Sequence, residues 1–193
     1  MKLLVVDNGT SYLQALLKLL APHEVTVVPW TKFLPKDAES SDTVILSGGH
    51  SLTVTGHDQE YQDELGFIRE TRLPVIGICL GFELIAHAFG ANLRLLEAKE
   101  KGVIKLRFMQ PHPLFLGVPE AEVFESHRWV VKNVPKPLVG LATSKDGYEI
   151  IAHESKPIFG FQFHPEMFPE KTVGAKIMHN CLSLIEAETA ARK

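Results

Sequence analysis

Four short segments, Leu3-Leu4-Val5-Val6, Val25-Thr26-Val27-Val28, Thr43-Val44-Ile45-Leu46 and Val75-Ile76-Gly77-Ile78, carry almost no polar side chain. The first and third run straight into turn residues, Asp7-Asn8-Gly9 and Ser47-Gly48-Gly49. Unbroken apolar runs of this length fit strands covered on both faces better than surface strands with one wet side. Helical spacing occupies the intervals, from Ser11 to Leu20 after the first run and from Glu60 to Arg69 before the fourth. Strand alternating with helix predicts an α/β fold, an open and mostly parallel sheet flanked by helices and joined by right-handed crossovers. After Cys79 the stretch from Phe82 to Phe89 is apolar on most faces and stops at Gly90, which predicts an enclosed helix ended by a glycine cap.

From Asn92 to Phe163 the pattern changes to short segments punctuated by Pro and Gly: Val103 to Phe108, Ala121 to Phe124, Leu138 to Ala142, Tyr148 to Ala152 and Ile158 to Phe163. These predict antiparallel strands added to the parallel sheet, with Lys145-Asp146-Gly147 as a hairpin turn. Thr172 to Ala187 has helical spacing and is expected to pack back on the sheet. No repeat or long linker divides the 193 residues, so a single domain over 1–193 is expected.

Twenty basic against 23 acidic side chains leave a net charge of −3 with no basic block, which argues against nucleic-acid binding. The opening apolar run is too short for a secretion signal and no stretch approaches a membrane span, so a cytoplasmic protein without membrane partners is expected. Cys79 and Cys181 lie far apart in unlike contexts, which argues against a disulfide framework. Cys181, among Ile177, Met178, Leu182 and Ile185, reads as core. The histidines at 23, 57, 87, 112, 153 and 179 lack metal-ligand spacing, and no metal site is expected.

Chemistry concentrates in three places. Gly77-Ile78-Cys79-Leu80-Gly81 joins a buried strand to a helix and is the thiol counterpart of a serine nucleophile elbow. The glycines allow a sharp turn that lifts the Cys79 sulfur above the sheet, near a helix end that favours a thiolate and leaves the Leu80 N–H free for an oxyanion. In Gly160-Phe161-Gln162-Phe163-His164-Pro165-Glu166, His164 and Glu166 stand two apart in extended chain and share a side, so the carboxylate can orient the imidazole beside a nucleophile. Ser47-Gly48-Gly49-His50 can supply a second backbone N–H. Each piece alone also reads as structure: a core cysteine between packing glycines, a strand-ending turn, a tight loop. All three fall at carboxyl ends of strands, where open α/β sheets place their sites.

Together with Asp7-Asn8-Gly9-Thr10-Ser11-Tyr12 and Glu125-Ser126-His127, these motifs resemble the class I glutamine amidotransferases in order and spacing along nearly the whole chain. Within that family the phrases are most similar to the separate glutaminase subunits of GMP synthetase, with anthranilate-synthase-type subunits also similar. The resemblance implies a flavodoxin-like sheet and a Cys79–His164–Glu166 triad. It further implies an oxyanion hole from Gly49 and Leu80, and a substrate site including Gly48, Gly49, position 83, Ser126 and His127. It implies glutamine as substrate and an ATP-dependent synthetase partner that receives ammonia. The chain itself carries no G-x-x-x-x-G-K-[ST] motif, so no cofactor is expected here and ATP would bind the partner.

Three positions depart from the family. Glu83 stands where it generally has glutamine; it either shapes the substrate pocket, or it faces solvent or pairs with a cation such as Arg128. Trp129 replaces an acidic residue, which changes the partner surface or the pocket lip, or simply packs on the sheet. His50 replaces a frequent proline. Two activities therefore follow: an ammonia-supplying glutaminase subunit, or a stand-alone γ-glutamyl hydrolase on the same triad, acting on another γ-glutamyl amide or peptide.

Overall fold

The computed structural model describes residues 1–118 and 121–191. Ten strands and four helices follow one another as β1 (Lys2–Asp7), α1 (Leu13–Leu19), β2 (Glu24–Pro29), β3 (Thr43–Leu46), α2 (Gln62–Glu70), β4 (Val75–Ile78), α3 (Leu80–Ala88), β5 (Leu93–Lys105), β6 (Arg107–Phe108), β7 (Glu122–Val131), β8 (Leu138–Thr143), β9 (Tyr148–His153), β10 (Ile158–Phe161) and α4 (Gly174–Ala191). The main sheet runs β2-β1-β3-β4-β10-β9-β7-β5, with β8 pairing β9 and β6 pairing β8.

The apolar runs of β1, β3 and β4 alternate their side chains between two cores, as the period of a strand requires. Leu3, Val5, Ile45, Ile76 and Ile78 point to one face, against Leu16 of α1 and Ile177, Met178, Cys181 and Leu182 of α4. Leu4, Val6, Val44, Leu46 and Val75 point to the other, against Leu65 and Ile68 of α2 and Phe82 and Ile85 of α3. Both faces are covered, which is why these strands read as continuous hydrophobic runs. Cys181 is fully buried in the first core.

Three details differ from the sequence reading. The Val25–Val28 run is an edge strand, β2, with only Val25 and Val28 half-buried, because β1 is its one neighbour. Ile158–Phe161 is not an antiparallel addition: β10 lies parallel to β4, pairing Phe161 with Ile78, and only its other side is antiparallel, to β9. Strands β5 and β7 are much longer than their apolar segments, and their register shifts between Leu95 and Glu100. The expected turn is present, with the Ser144 N–H donating to the Gly147 carbonyl at 2.9 Å between β8 and β9.

Candidate active site

The parallel placement of β10 beside β4 sets the site. Both strands end at the same edge of the sheet, and the chain leaves β4 through Cys79 and β10 through Gln162 to Glu166. Cys79 adopts φ 50° and ψ −100°, a conformation that non-glycine residues rarely hold. Its neighbours fix it there. The Cys79 N–H donates to the Phe161 carbonyl at 2.7 Å, and the Gly81 N–H to the Ser47 carbonyl at 3.2 Å. A β-carbon on Gly77 would lie 2.3 Å from the Gly81 carbonyl oxygen, and one on Gly81 would lie 2.2 Å from that of Leu46. The G-x-C-x-G spacing is thus a requirement of backbone contact between β3, β4 and α3.

His164 and Cys79 converge over Gly48: a β-carbon added there would sit 3.0 Å from His164 Cε1 and 3.5 Å from Cys79 Cβ. His164 Nδ1 meets Glu166 Oε1 at 2.9 Å, with both side chains buried. With the Glu166 carboxylate as acceptor, Nδ1 carries the hydrogen and Nε2 is left free to accept one. Tyr12 packs edge-to-face on the His164 ring with centroids 4.8 Å apart, and the His164 N–H donates to the Phe124 carbonyl.

The glycine loop is tied down by Asn8. Its backbone N–H donates to Ser47 Oγ at 2.9 Å, its side-chain amide to the Ser47 carbonyl at 3.2 Å, and Ser47 Oγ donates to the Gly48 carbonyl at 2.8 Å. A β-carbon on Gly49 would come within 2.2 Å of the Asn8 carbonyl oxygen, so only glycine lets the loop lie this close. Among the described residues no group accepts the Gly49 N–H.

Two cavities open beside Cys79. One of about 120 Å³ is lined by Tyr12, Gly49, His50, Ser126 and His164; the other, of about 210 Å³, by Gly49, Leu80, Glu83, Ser126, His127 and Trp129. All the residues expected from sequence to touch substrate except Gly48 line one of them, and Gly48 lies beneath the meeting point of Cys79 and His164. Trp129 is half-buried and lines the larger cavity. Lys99 reaches both cavities, yet no sequence signal points to it. Tyr12 belongs to the opening phrase, and nothing in that phrase places it beside His164.

Electrostatics corrects two expectations. The Leu80 N–H does favour the Cys79 thiolate, but burial and the nearby Glu83 and Glu166 carboxyls outweigh it and push the thiol up. Cys79 therefore needs a proton acceptor at the moment of attack. Glu83 is not paired with Arg128, which is exposed and donates to the Leu96 and Glu97 carbonyls at 3.4 and 3.3 Å. Instead Glu83 is only 4% exposed and takes a 3.4 Å hydrogen bond from Gln162 Nε2. Burial pushes its carboxyl up to about 7, although His127 beside it acts in the opposite sense. A neutral Glu83 has an O–H to donate, so it can stand in for one amide hydrogen of a glutamine.

Glu100, Glu125 and His127 bring donor atoms within 4.8 Å of one another. Both His127 nitrogens are already engaged, Nδ1 with the Trp129 carbonyl and Nε2 with Glu125 Oε2, each at 3.0 Å. Lys145 lies 3.4 Å from Glu100. The group is an ion-paired network.

Comparison with known proteins agrees with this geometry. The family model for class-I glutamine amidotransferases matches residues 4–184. The glutamine-hydrolyzing GMP synthase subunit from Methanothermobacter thermautotrophicus is 33% identical over 173 residues, covering 86% of this chain and 88% of the relative. The corresponding GMP synthase subunit from Pyrococcus furiosus is 33% identical over 183 residues, covering 92% and 95%. A crystal structure of a protein assigned as a GMP synthase subunit, from Thermoplasma acidophilum, superposes with a TM-score of 0.88 at 27% identity, covering 100% of this chain and 97% of that one. A glutamine amidotransferase from Thermotoga maritima shares the fold, with a TM-score of 0.73 at 18% identity over 100% of this chain and 85% of that one. This chain belongs to the class I glutamine amidotransferases.

Proposed function

We propose that the protein is the glutaminase subunit of a two-part GMP synthetase, hydrolysing glutamine through Cys79 and passing ammonia to a synthetase partner. The observation that carries this reading is the meeting of the Cys79 elbow and the His164–Glu166 pair over Gly48, in a chain whose relatives are glutamine-hydrolysing GMP synthase subunits.

In this reading His164 Nε2 takes the Cys79 proton as the sulfur attacks the side-chain carboxamide carbon of glutamine. The Gly49 and Leu80 N–H groups receive the oxyanion. Collapse breaks the C–N bond, His164 returns the proton to nitrogen, and ammonia leaves a γ-glutamyl thioester on Cys79. Water then attacks the thioester with His164 as base, releasing glutamate and restoring the thiol. Glu166 holds the imidazole. Gly48, Gly49, Glu83, Ser126 and His127 surround the substrate. Acceptor activation by ATP belongs to the partner, and the cytosol is the proposed location of the reaction. Among the described residues no helix is long and apolar enough to cross a membrane.

Glutamate release by the purified protein, with and without an ATP-using GMP synthetase partner, tests this. Slow, Cys79-dependent hydrolysis of glutamine accelerated by the partner is expected. Rapid cleavage of another γ-glutamyl amide or peptide, with glutamine ignored, would replace it with a stand-alone hydrolase.

A further inference from the structure

The two cavities beside Cys79 share five lining residues: Gly49, His50, Cys79, Lys99 and Ser126. Four of these belong to the elbow, the glycine loop or the Glu125-Ser126-His127 phrase. Lys99 comes from β5, at the far edge of the sheet.

A bulge carries it there. Pairing with β7 passes from Leu95 opposite Trp129 directly to Glu100 opposite His127, so residues 96–99 of β5 face Arg128 alone. The surplus residues bow out of the ladder, and the Arg128 guanidinium holds them by the Leu96 and Glu97 carbonyls. Lys99 ends the bulge, against both cavities. Lys105, Lys136 and Lys145 each pair with a glutamate, and Glu100, next to Lys99 in the chain, pairs with Lys145 at 3.4 Å. Among the described residues no ion pair or hydrogen bond engages the Lys99 side chain.

A γ-glutamyl substrate that offers its carboxamide carbon to Cys79 brings an α-carboxylate with it. That charge needs donors in a site whose larger cavity also holds Glu83. The neighbouring basic groups are committed. Arg128 is spent on the bulge carbonyls, and the His127 nitrogens meet the Trp129 carbonyl and Glu125. His164 is held by Glu166 and faces Cys79. Lys99 has three N–H donors with no acceptor in the chain.

Resting on the glutaminase reading above, we propose that Lys99 is a substrate-binding residue that receives the α-carboxylate of glutamine and so selects compounds whose α-carboxyl group is free. Lys99 is exposed, so its ammonium meets the carboxylate at the rim with little loss of hydration, and the bond is charge-assisted. The α-carboxylate lies away from the C–N bond that breaks. The contact is therefore equal in ground and transition states and acts on KM rather than kcat.

Steady-state cleavage of glutamine and of its α-carboxamide, glutaminamide, by wild type, Lys99→Met, Lys99→Arg and His50→Gln tests this. Wild type is expected to prefer glutamine. Lys99→Met is expected to raise KM for glutamine about tenfold, the size of one charged hydrogen bond, with kcat little changed and glutaminamide cleavage unaltered. Lys99→Arg is expected to retain the preference. If Lys99→Met weakens both substrates equally, or neither, the residue does not read the carboxylate and the proposal is overturned. A preference lost in His50→Gln but kept in Lys99→Met assigns the carboxylate to the glycine loop and overturns it as well. If another γ-glutamyl amide is cleaved in place of glutamine, the glutaminase reading fails, and the same comparison with that amide's α-carboxyl group free or amidated still decides the role of Lys99. Absence of Cys79-dependent cleavage of any γ-glutamyl compound overturns both.

Discussion

The Cys79 amide donates to the Phe161 carbonyl at 2.7 Å, and this bond ties the strand that ends at the proposed nucleophile to the strand that leads to its proposed base, His164. Because β4 and β10 run parallel with Ile78 opposite Phe161, Cys79 and Gln162 leave the sheet together. His164 then needs only two more residues to stand over the sulfur.

Cys79→Ala is expected to remove glutamate release. Glu166→Gln, which can no longer hold the Nδ1–H tautomer of His164, is expected to lower kcat by roughly two to four powers of ten with KM little changed. Steady-state glutaminase kinetics checks both.

Gly49→Ala and Gly81→Ala separate positioning from stability. The first drives a methyl group into the Asn8 carbonyl and displaces the proposed oxyanion donor, with an expected loss of roughly two to three powers of ten in kcat. The second collides with the Leu46 carbonyl beneath the elbow and is expected to destabilise the fold by about 3 kcal/mol in urea titration.

Glu83 makes stability depend on pH. Its carboxyl rises from 4.5 to about 7 on folding, so the folded chain binds the proton more tightly and folding takes one up. Stability attributable to this group therefore falls as pH climbs from 4.5 to about 7 and then levels. The advantage of Glu83→Gln over wild type is expected to grow by about 3 kcal/mol across that window. A difference between the two that stays flat with pH would contradict a buried, proton-holding Glu83.

Catalysis follows the same group. As Glu83 ionises above about 7, it loses its O–H and adds a negative charge that opposes the Cys79 thiolate. Wild-type kcat/KM for glutamine is expected to decline on the alkaline side with that midpoint, and Glu83→Gln to lose the decline. Unchanged profiles would show that position 83 does not shape the substrate site.

Glu64 supplies a second test of a buried carboxyl, on α2. It is 2% exposed on α2, neither carboxylate oxygen has a hydrogen-bond partner among the described residues, and burial raises it to about 7 despite the neighbouring Asn8 amide. Glu64→Gln is expected to remove a pH-dependent loss of stability over the same window, again about 3 kcal/mol, measured by denaturant unfolding at pH 5 and pH 8.

The parallel core and the elbow are legible in the sequence because their signals are local: apolar runs ending in glycine can bury only one way. The antiparallel half is harder to read because its buried side chains are charged. Glu125 and His127 lie inside β7, and Glu149 inside β9, so hydrophobicity understates these strands, and only their mutual contacts explain their burial. The direction of β10 is hidden for another reason. A short buried strand looks the same in either orientation, and the long path from β4 through β5 to β9 decides it. Glu83 stands out as unusual in the sequence, but its partner Gln162 follows that same distant strand.

The break in pairing between Leu95 and Glu100 also has a dynamic consequence. It frees the 96–99 segment from the β5–β7 ladder at the rim of the cavities, where Arg128 reaches across to the Leu96 and Glu97 carbonyls. Amide hydrogens there can exchange with water through a local opening that releases one guanidinium, whereas those at the elbow are locked between two cores. The doorway can breathe while the catalytic floor stays rigid.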